Sequence, residues 1–316
     1  MQHVPLKARL TKCCLVNSKL HAAAVAATQE LGLGTYFLVP SANDIHVTSP
    51  GGARSALKWL DHHGHHLTSL RVQRNVGPVH QLHSPNLLQL YLGHMCSVQL
   101  GTAADGSPGV VHSCSKLTRL ELRWCGVIDA PGGNVVVDCL SSLVHLQHLD
   151  WWPDGEATLS AATLPCLDCL TFLHIAQPTG DNLQQLSGLT KLQDVCLMAD
   201  GAVALGPSSV PGFTFPASLT KLELLSRVEV GVLSLVPATL RHLELSCTFV
   251  GAMAVEGPGS FPSCLGRLQQ LTTLVVFIEP QGFTDWPPPS PAYAALTASN
   301  NLVELSIECD ELPDGI

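Results

Sequence analysis

The chain has 316 residues, of which 46% are hydrophobic and only 13% charged, with a formal net charge of −9. That composition is too apolar for intrinsic disorder. The negative balance argues against a nucleic-acid partner, which favours a basic face. Aromatic residues are scarce at 5% while leucine is abundant, as suits a core built from one repeated aliphatic side chain.

Residues 1–50 read as a helical segment. Lys7 to Thr28 carries apolar residues at helical spacing through Leu10, Cys14, Leu15 and Leu20, and Asn17-Ser18 divides it into two short helices with Ser18 as an N-cap. The apolar run at 13–16 is too short for the core of a signal peptide, and His21 to Pro40 falls short of a membrane span. The expected setting is intracellular, in cytoplasm or nucleus. The twelve cysteines are therefore expected as free thiols, with Cys139, Cys166 and Cys264 packing as small hydrophobes. Pro50-Gly51-Gly52 marks a loop, and residues 51–316 form a second domain that opens on a short helix at 53–60.

From there one phrase recurs, L-x-x-L-x-L, most plainly as S-L-T-K-L-E-L-L-S from Ser218 and T-L-R-H-L-E-L-S-C from Thr239. Its last three positions alternate apolar and polar, so Leu222 and Leu224 point one way and Glu223 the other, as in a strand. So short a strand cannot bury its apolar row alone and must stack on a neighbour built the same way. Ten copies begin at residues 67, 87, 117, 146, 170, 192, 219, 240, 271 and 302. The long gaps between them leave room for a helix or a protruding loop, and the short ones only for loop or 3₁₀ returns. Leu183, Leu186 and Leu189 keep helical spacing within one return.

This pattern resembles the leucine-rich repeats, down to Asn75 and Cys125 at the turn position where that family places Asn or Cys. The resemblance implies an α/β solenoid, a horseshoe with about ten parallel strands behind a short N-terminal helical segment. Residues 5–24 resemble the second half of an F-box, with Pro5-Leu6-Lys7 at the proline position and Leu15-Val16-Asn17-Ser18-Lys19-Leu20 in the closing helix. Leu20 stands where that family usually has Trp, and the family's opening helix would lie ahead of Met1. The combined resemblance implies a non-enzymatic substrate-recognition subunit of a cullin-type ubiquitin ligase, with Pro5, Leu6, Leu15, Val16 and Leu20 contacting the adaptor. The alternative is a leucine-rich-repeat scaffold without ubiquitin chemistry, for example in the cytoskeleton or the axoneme of a cilium.

Patterns for chemistry are weak. No G-x-S-x-G, P-loop or H-E-x-x-H occurs, so no catalytic residue and no cofactor is expected. His62-His63-Gly64-His65-His66 lacks a completing ligand set and reads as a solvated lead into the first strand. Cys166-Leu-Asp-Cys169 has no second pair and reads as core packing, so no metal site is expected. The Pro-rich loop at 286–291 favours an extended surface conformation. The informative residues are the polar and aromatic ones between the leucines, which would line the concave wall: Arg71, Tyr91, Arg119, Arg123, Trp124, His148, Asp150, Trp152, Phe172 and His174. Exposed aromatics beside arginine are the types that dominate protein-binding hot spots. Trp124, Trp152 and Phe172 either form such a ridge or fold under adjoining loops.

Overall fold

The computed structural model describes residues 30–33, 44–45, 65, 67–73, 79, 82, 84–93, 97–102, 106, 108–128, 136–154, 157–199, 205–250, 261–278 and 301–309. The chain divides into two compact units, Met1–Cys169 and Leu170–Ile316.

In the first unit the strands are β1 Glu30–Leu33, β2 Asp44–Ile45, β3 Ser69–Gln73, β4 Gln89–Gly93, β5 Ser97–Val98, β6 Arg119–Val127, β7 Val136–Val137, β8 His148–Asp154 and β9 Thr158–Leu159. They lie in the order β2-β1-β3-β4-β6-β8, every pair parallel. The short β5 also runs beside β6, and β7 pairs with β9 in a separate two-stranded ladder. The register puts Leu70, Leu90, Leu120 and Leu149 side by side, and Val72, Leu92, Leu122 and Trp151 in a second row. All eight are buried. Each such side chain contributes on the order of 1.5–3 kcal/mol before entropy is subtracted. Trp151 fills a leucine place because its indole N–H finds the carbonyl of Ala157 at 3.3 Å.

The second unit holds β10 Phe172–Ala176, α1 Gly180–Gln185, β11 Asp194–Ala199, β12 Lys221–Glu229, β13 His242–Val250, α2 Phe261–Arg267, β14 Thr273–Ile278 and β15 Glu304–Cys309. Its six strands pair in sequence order, all parallel. Leu173, Val195, Leu222, Leu243 and Leu274 form one buried row, and Ile175, Leu197, Leu224, Leu245 and Val276 the other. Leu305 continues the first row in β15 but is 48% exposed.

All ten phrases are thus strands, stacked within each unit in parallel register with their aliphatic positions aligned. This is the α/β leucine-rich-repeat solenoid. One local device recurs at the start of seven of these strands. The amide of the phrase's first leucine donates to the carbonyl three residues earlier, at Leu87, Leu117, Leu146, Leu192, Leu219, Leu240 and Leu271 alike. That closes a turn and points the leucine inward before the strand begins.

Several features depart from the sequence expectations. β1 and β2 fall within 1–50 and extend the sheet, with Leu31 and Leu33 beside Leu70 and Val72; the helices expected over 7–28, and with them Pro5, Leu6, Leu15, Val16 and Leu20, lie outside the described residues. Gap length does not decide where helices form. The 22-residue return from Leu170 to Leu192 holds α1, because Thr179 accepts from the Asn182 amide while the Asn182 side chain accepts from the Thr179 amide. The longer returns after Leu87 and Leu117 spend their extra residues on β5 and β7 and turn back through 3₁₀ segments, Val110–Ser113 and Cys139–Ser142. Among the described residues no helix is long and apolar enough to cross a membrane.

Cys114, Cys125, Cys139, Cys166, Cys169, Cys196 and Cys264 are free thiols. Cys264 is buried, as expected, and burial pushes the Cys114 thiol up to about 12. Cys166, however, is exposed and Cys169 only half-buried, which corrects the expectation of core packing for that pair. The 3₁₀ segment Leu164–Cys166 turns Leu164 inward, so the side chain two residues on faces out, and its thiol donates to the carbonyl of Ala162 at 3.4 Å. His65 is exposed; His62, His63, His66 and residues 286–291 lie outside the described residues.

Candidate protein-binding face

Alternation along a strand sends every second side chain away from the leucine core. In the first unit these positions form a grid. Ser69, Gln89, Arg119 and His148 occupy one row, Arg71, Tyr91, Glu121 and Asp150 the next, and Gly93, Arg123 and Trp152 a third. Eight of the ten residues expected on the binding wall lie here: Arg71, Tyr91, Arg119, Arg123, Trp124, His148, Asp150 and Trp152. Phe172 and His174 belong to the second unit, where Phe172 is half-exposed and His174 buried.

The grid is held by charge. Arg123 donates from Nε to Oδ2 of Asp150 at 2.6 Å, and its Nη2 meets the same oxygen. Asp150 is wholly buried, so it touches no partner directly, contrary to its expected place on an exposed wall; it serves instead to fix Arg123. Burial works against the Arg123 charge, but Asp150, and to a lesser degree Glu121, more than offset it and raise the guanidinium pKa. Glu121, placed on this face by alternation though not among the ten residues expected to bind, is the second hub. Its Oε1 accepts from Arg119 Nε at 2.6 Å, its Oε2 is 3.8 Å from Arg123 Nη2, and His148 Nε2 is 3.8 Å from Oε1. Burial, reinforced by Arg119, lowers the His148 pKa to about 4 against the pull of Glu121 and Asp150, so its imidazole is neutral at pH 7.

Above this charged floor sit the aromatic rings. The Arg71 guanidinium lies 4.5 Å from the centroid of the Tyr91 ring, in cation–π range. Gly93 makes that position possible, since a Cβ there would come within 2.8 Å of the tyrosine hydroxyl. Arg71, Tyr91, Arg119, Glu121 and Arg123 surround a depression of about 350 Å³. Beside it, Trp124 and Trp152 pack with ring centroids 4.6 Å apart and planes tilted by 41°. Trp124 stays 45% exposed, so it is not folded under a loop. Its backbone is left-handed, with φ of 55°, where the β6–β8 register shifts between Arg123 and Gly126. A bulky side chain held in that region is strained, and such strain gathers at working surfaces.

The second unit's matching grid is different. Asp194, Lys221 and His242 share one row, and Cys196, Glu223 and Glu244 the next. Lys221 Nζ lies 2.6 Å from Glu223 and 3.7 Å from Asp194. Burial opposes the Lys221 charge, yet the hydrogen bond it donates to Glu223 and the surrounding acids raise its pKa. Ligand atoms of Glu223, His242 and Glu244 lie within 4.8 Å of one another, a set able to hold a divalent cation. Lys221 supplies the positive charge in that neighbourhood.

No known protein family's sequence profile matches the chain, and no curated protein matches it. Among solved structures it is similar to internalin C2 of Listeria monocytogenes, at 15% identity over 66% of this chain and 79% of that one, with a TM-score of 0.38. The mouse RP105/MD-1 complex is similar at 14% identity over 89% of this chain and 47% of that one, TM-score 0.41. A leucine-rich-repeat protein of Leptospira interrogans matches at 13% identity over 94% and 92%, TM-score 0.30. The fold assignment rests on the strand register rather than on these likenesses.

Proposed function

We propose that this is a non-enzymatic protein-binding solenoid whose partner docks on the arginine–tryptophan face of the first unit. The observation that supports the reading most is Trp124, exposed, held in strained left-handed backbone and packed against Trp152 beside the Arg123–Asp150 pair. Such an anchor next to a fixed guanidinium has the make-up of a binding hot spot. Alanine at both tryptophans removes the anchor from the surface without opening the leucine rows. A partner identified by quantitative pull-down is expected to be lost from that double variant and retained by Glu244→Gln on the second unit; equal retention by both variants rejects the face.

Within that role we propose the finer assignment of substrate-recognition subunit of a cullin-type ubiquitin ligase, working inside the cell. Its support is the F-box-like stretch at 5–24 alone. The full chain is expected to co-purify the ligase adaptor and to lose it on Leu15→Asp. A chain that holds its partner on the first unit but never the adaptor is instead a scaffold, such as a cytoskeletal or axonemal one.

A further inference from the structure

The chemistry of the same face selects among partners, given that a partner docks there as proposed. The guanidiniums of Arg119 and Arg123 meet the carboxylates of Glu121 and Asp150 there, Arg71 lines the same depression, and His148 is neutral at pH 7. The carboxylates are the covered members: Asp150 is wholly buried and the Glu121 side chain keeps only 10% of its exposure, against 48% for Arg119 and 42% for Arg123. Acids lie beneath and cations above, so a chain of net charge −9 presents a local positive surface. The contacts of Arg119 and Arg123 run through Nε and Nη2, which leaves Nη1 of each as a donor for a ligand. The depression of about 350 Å³ between them is at the small end of ligand clefts and admits a side chain rather than a domain.

The apolar half adjoins it directly. Arg123 is followed by Trp124 and pairs across the ladder with Trp152. A ligand whose acid reaches the arginines therefore lays its neighbouring residue on the tryptophan pair. We infer that the face recognises a peptide segment of a protein partner in which an Asp or Glu stands next to a large apolar residue, the carboxylate entering the depression and the apolar side chain covering Trp124 and Trp152. A polyanion is a poor fit, because the chain is acidic overall and Glu121 stands in the floor of the depression.

The test is selection of a random peptide display library on the purified full chain, followed by resynthesis of the winners. Winners are expected to carry an acidic residue beside an aromatic or aliphatic one. Changing that acid to its amide should weaken binding about tenfold, and Arg71→Glu should do the same. Replacing the peptide's acid with Lys should restore affinity for the Arg71→Glu chain, a rescue that misfolding could not produce. Winners that lose affinity on Trp124→Ala yet tolerate the amide change overturn the acidic requirement while leaving the docking face intact. Winners indifferent to both Trp124→Ala and Arg71→Glu overturn the docking face itself. A doubled solution mass that Arg71→Glu abolishes would assign the face to a second copy of the chain and overturn the inference.

Discussion

The two units carry ladders of the same design and faces of different chemistry. In the first, Asp150 is sealed below Arg123, so the acid is spent inside and the arginines and tryptophans look outward. In the second, Lys221 sits among half-exposed Asp194, Glu223 and Glu244, and cation and acids share one layer. Register does not account for the difference, since Glu121 and Asp150 occupy the same strand position in the first unit as Glu223 and Glu244 in the second. Depth does. Where a carboxylate is buried it must be paired and hydrogen-bonded, and the guanidinium that pairs it is presented in a fixed pose. Where both partners meet solvent, the pair is screened and loose. The repeat supplies the positions, and the burial of one acid turns a row of polar residues into a rigid surface.

The shared ladder is the first thing to break. Leu120→Asp and Leu243→Asp each place a charge in a fully buried row, and both should cost at least about 4 kcal/mol in chemical denaturation. A near-normal midpoint for either would deny that the two units are stabilised alike.

The faces should then separate. Arg123→Ala strands the buried Asp150 and should cost about 2–3 kcal/mol, below the range for a wholly buried pair because the arginine side chain is 42% exposed. Adding Asp150→Leu should recover most of that loss. Lys221→Met should cost about 0.5–1 kcal/mol, because its partners keep their own access to water. Equal costs for the two substitutions would erase the contrast.

Acid offers a further distinction. His148 falls from 6.5 to about 4 in the fold, so the unfolded chain binds more protons at this site over that interval. Stability is therefore lost as pH falls from about 6.5 towards 4. His148→Gln should flatten that part of the thermal-midpoint profile, whereas wild type and variant profiles of equal slope would place the titrating group elsewhere. The smallest effect is expected at Trp124→Gly, where relief of the left-handed backbone offsets the lost ring contact to within about 1 kcal/mol.

The ten strands are legible in the sequence because L-x-x-L-x-L fixes both the turn and the inward pair, and Leu222 and Leu224 are buried as their alternation requires. β1 escapes that pattern because Thr28 stands where the leading leucine would be, leaving only Leu31-x-Leu33. β5, β7 and β9 are two-residue strands, too short to carry a period. The arginines and tryptophans of the candidate face are legible by alternation, but alternation reports side and not depth. Asp150 and Arg119 look equivalent in the sequence, yet one is sealed and the other open, because a neighbour 27 residues away reaches over Asp150. Nor does any local signal announce the left-handed backbone at Trp124, which arises from the register shift against β8.

The most direct measurement is site-specific photo-crosslinking in the cells that make the protein, with the photoreactive residue placed at Gln89 on the first face or at Glu244 on the second. A crosslinked partner is predicted from position 89 and none from 244. The same partner captured from 244, with nothing from 89, would contradict the assignment of the arginine–tryptophan face as the binding surface.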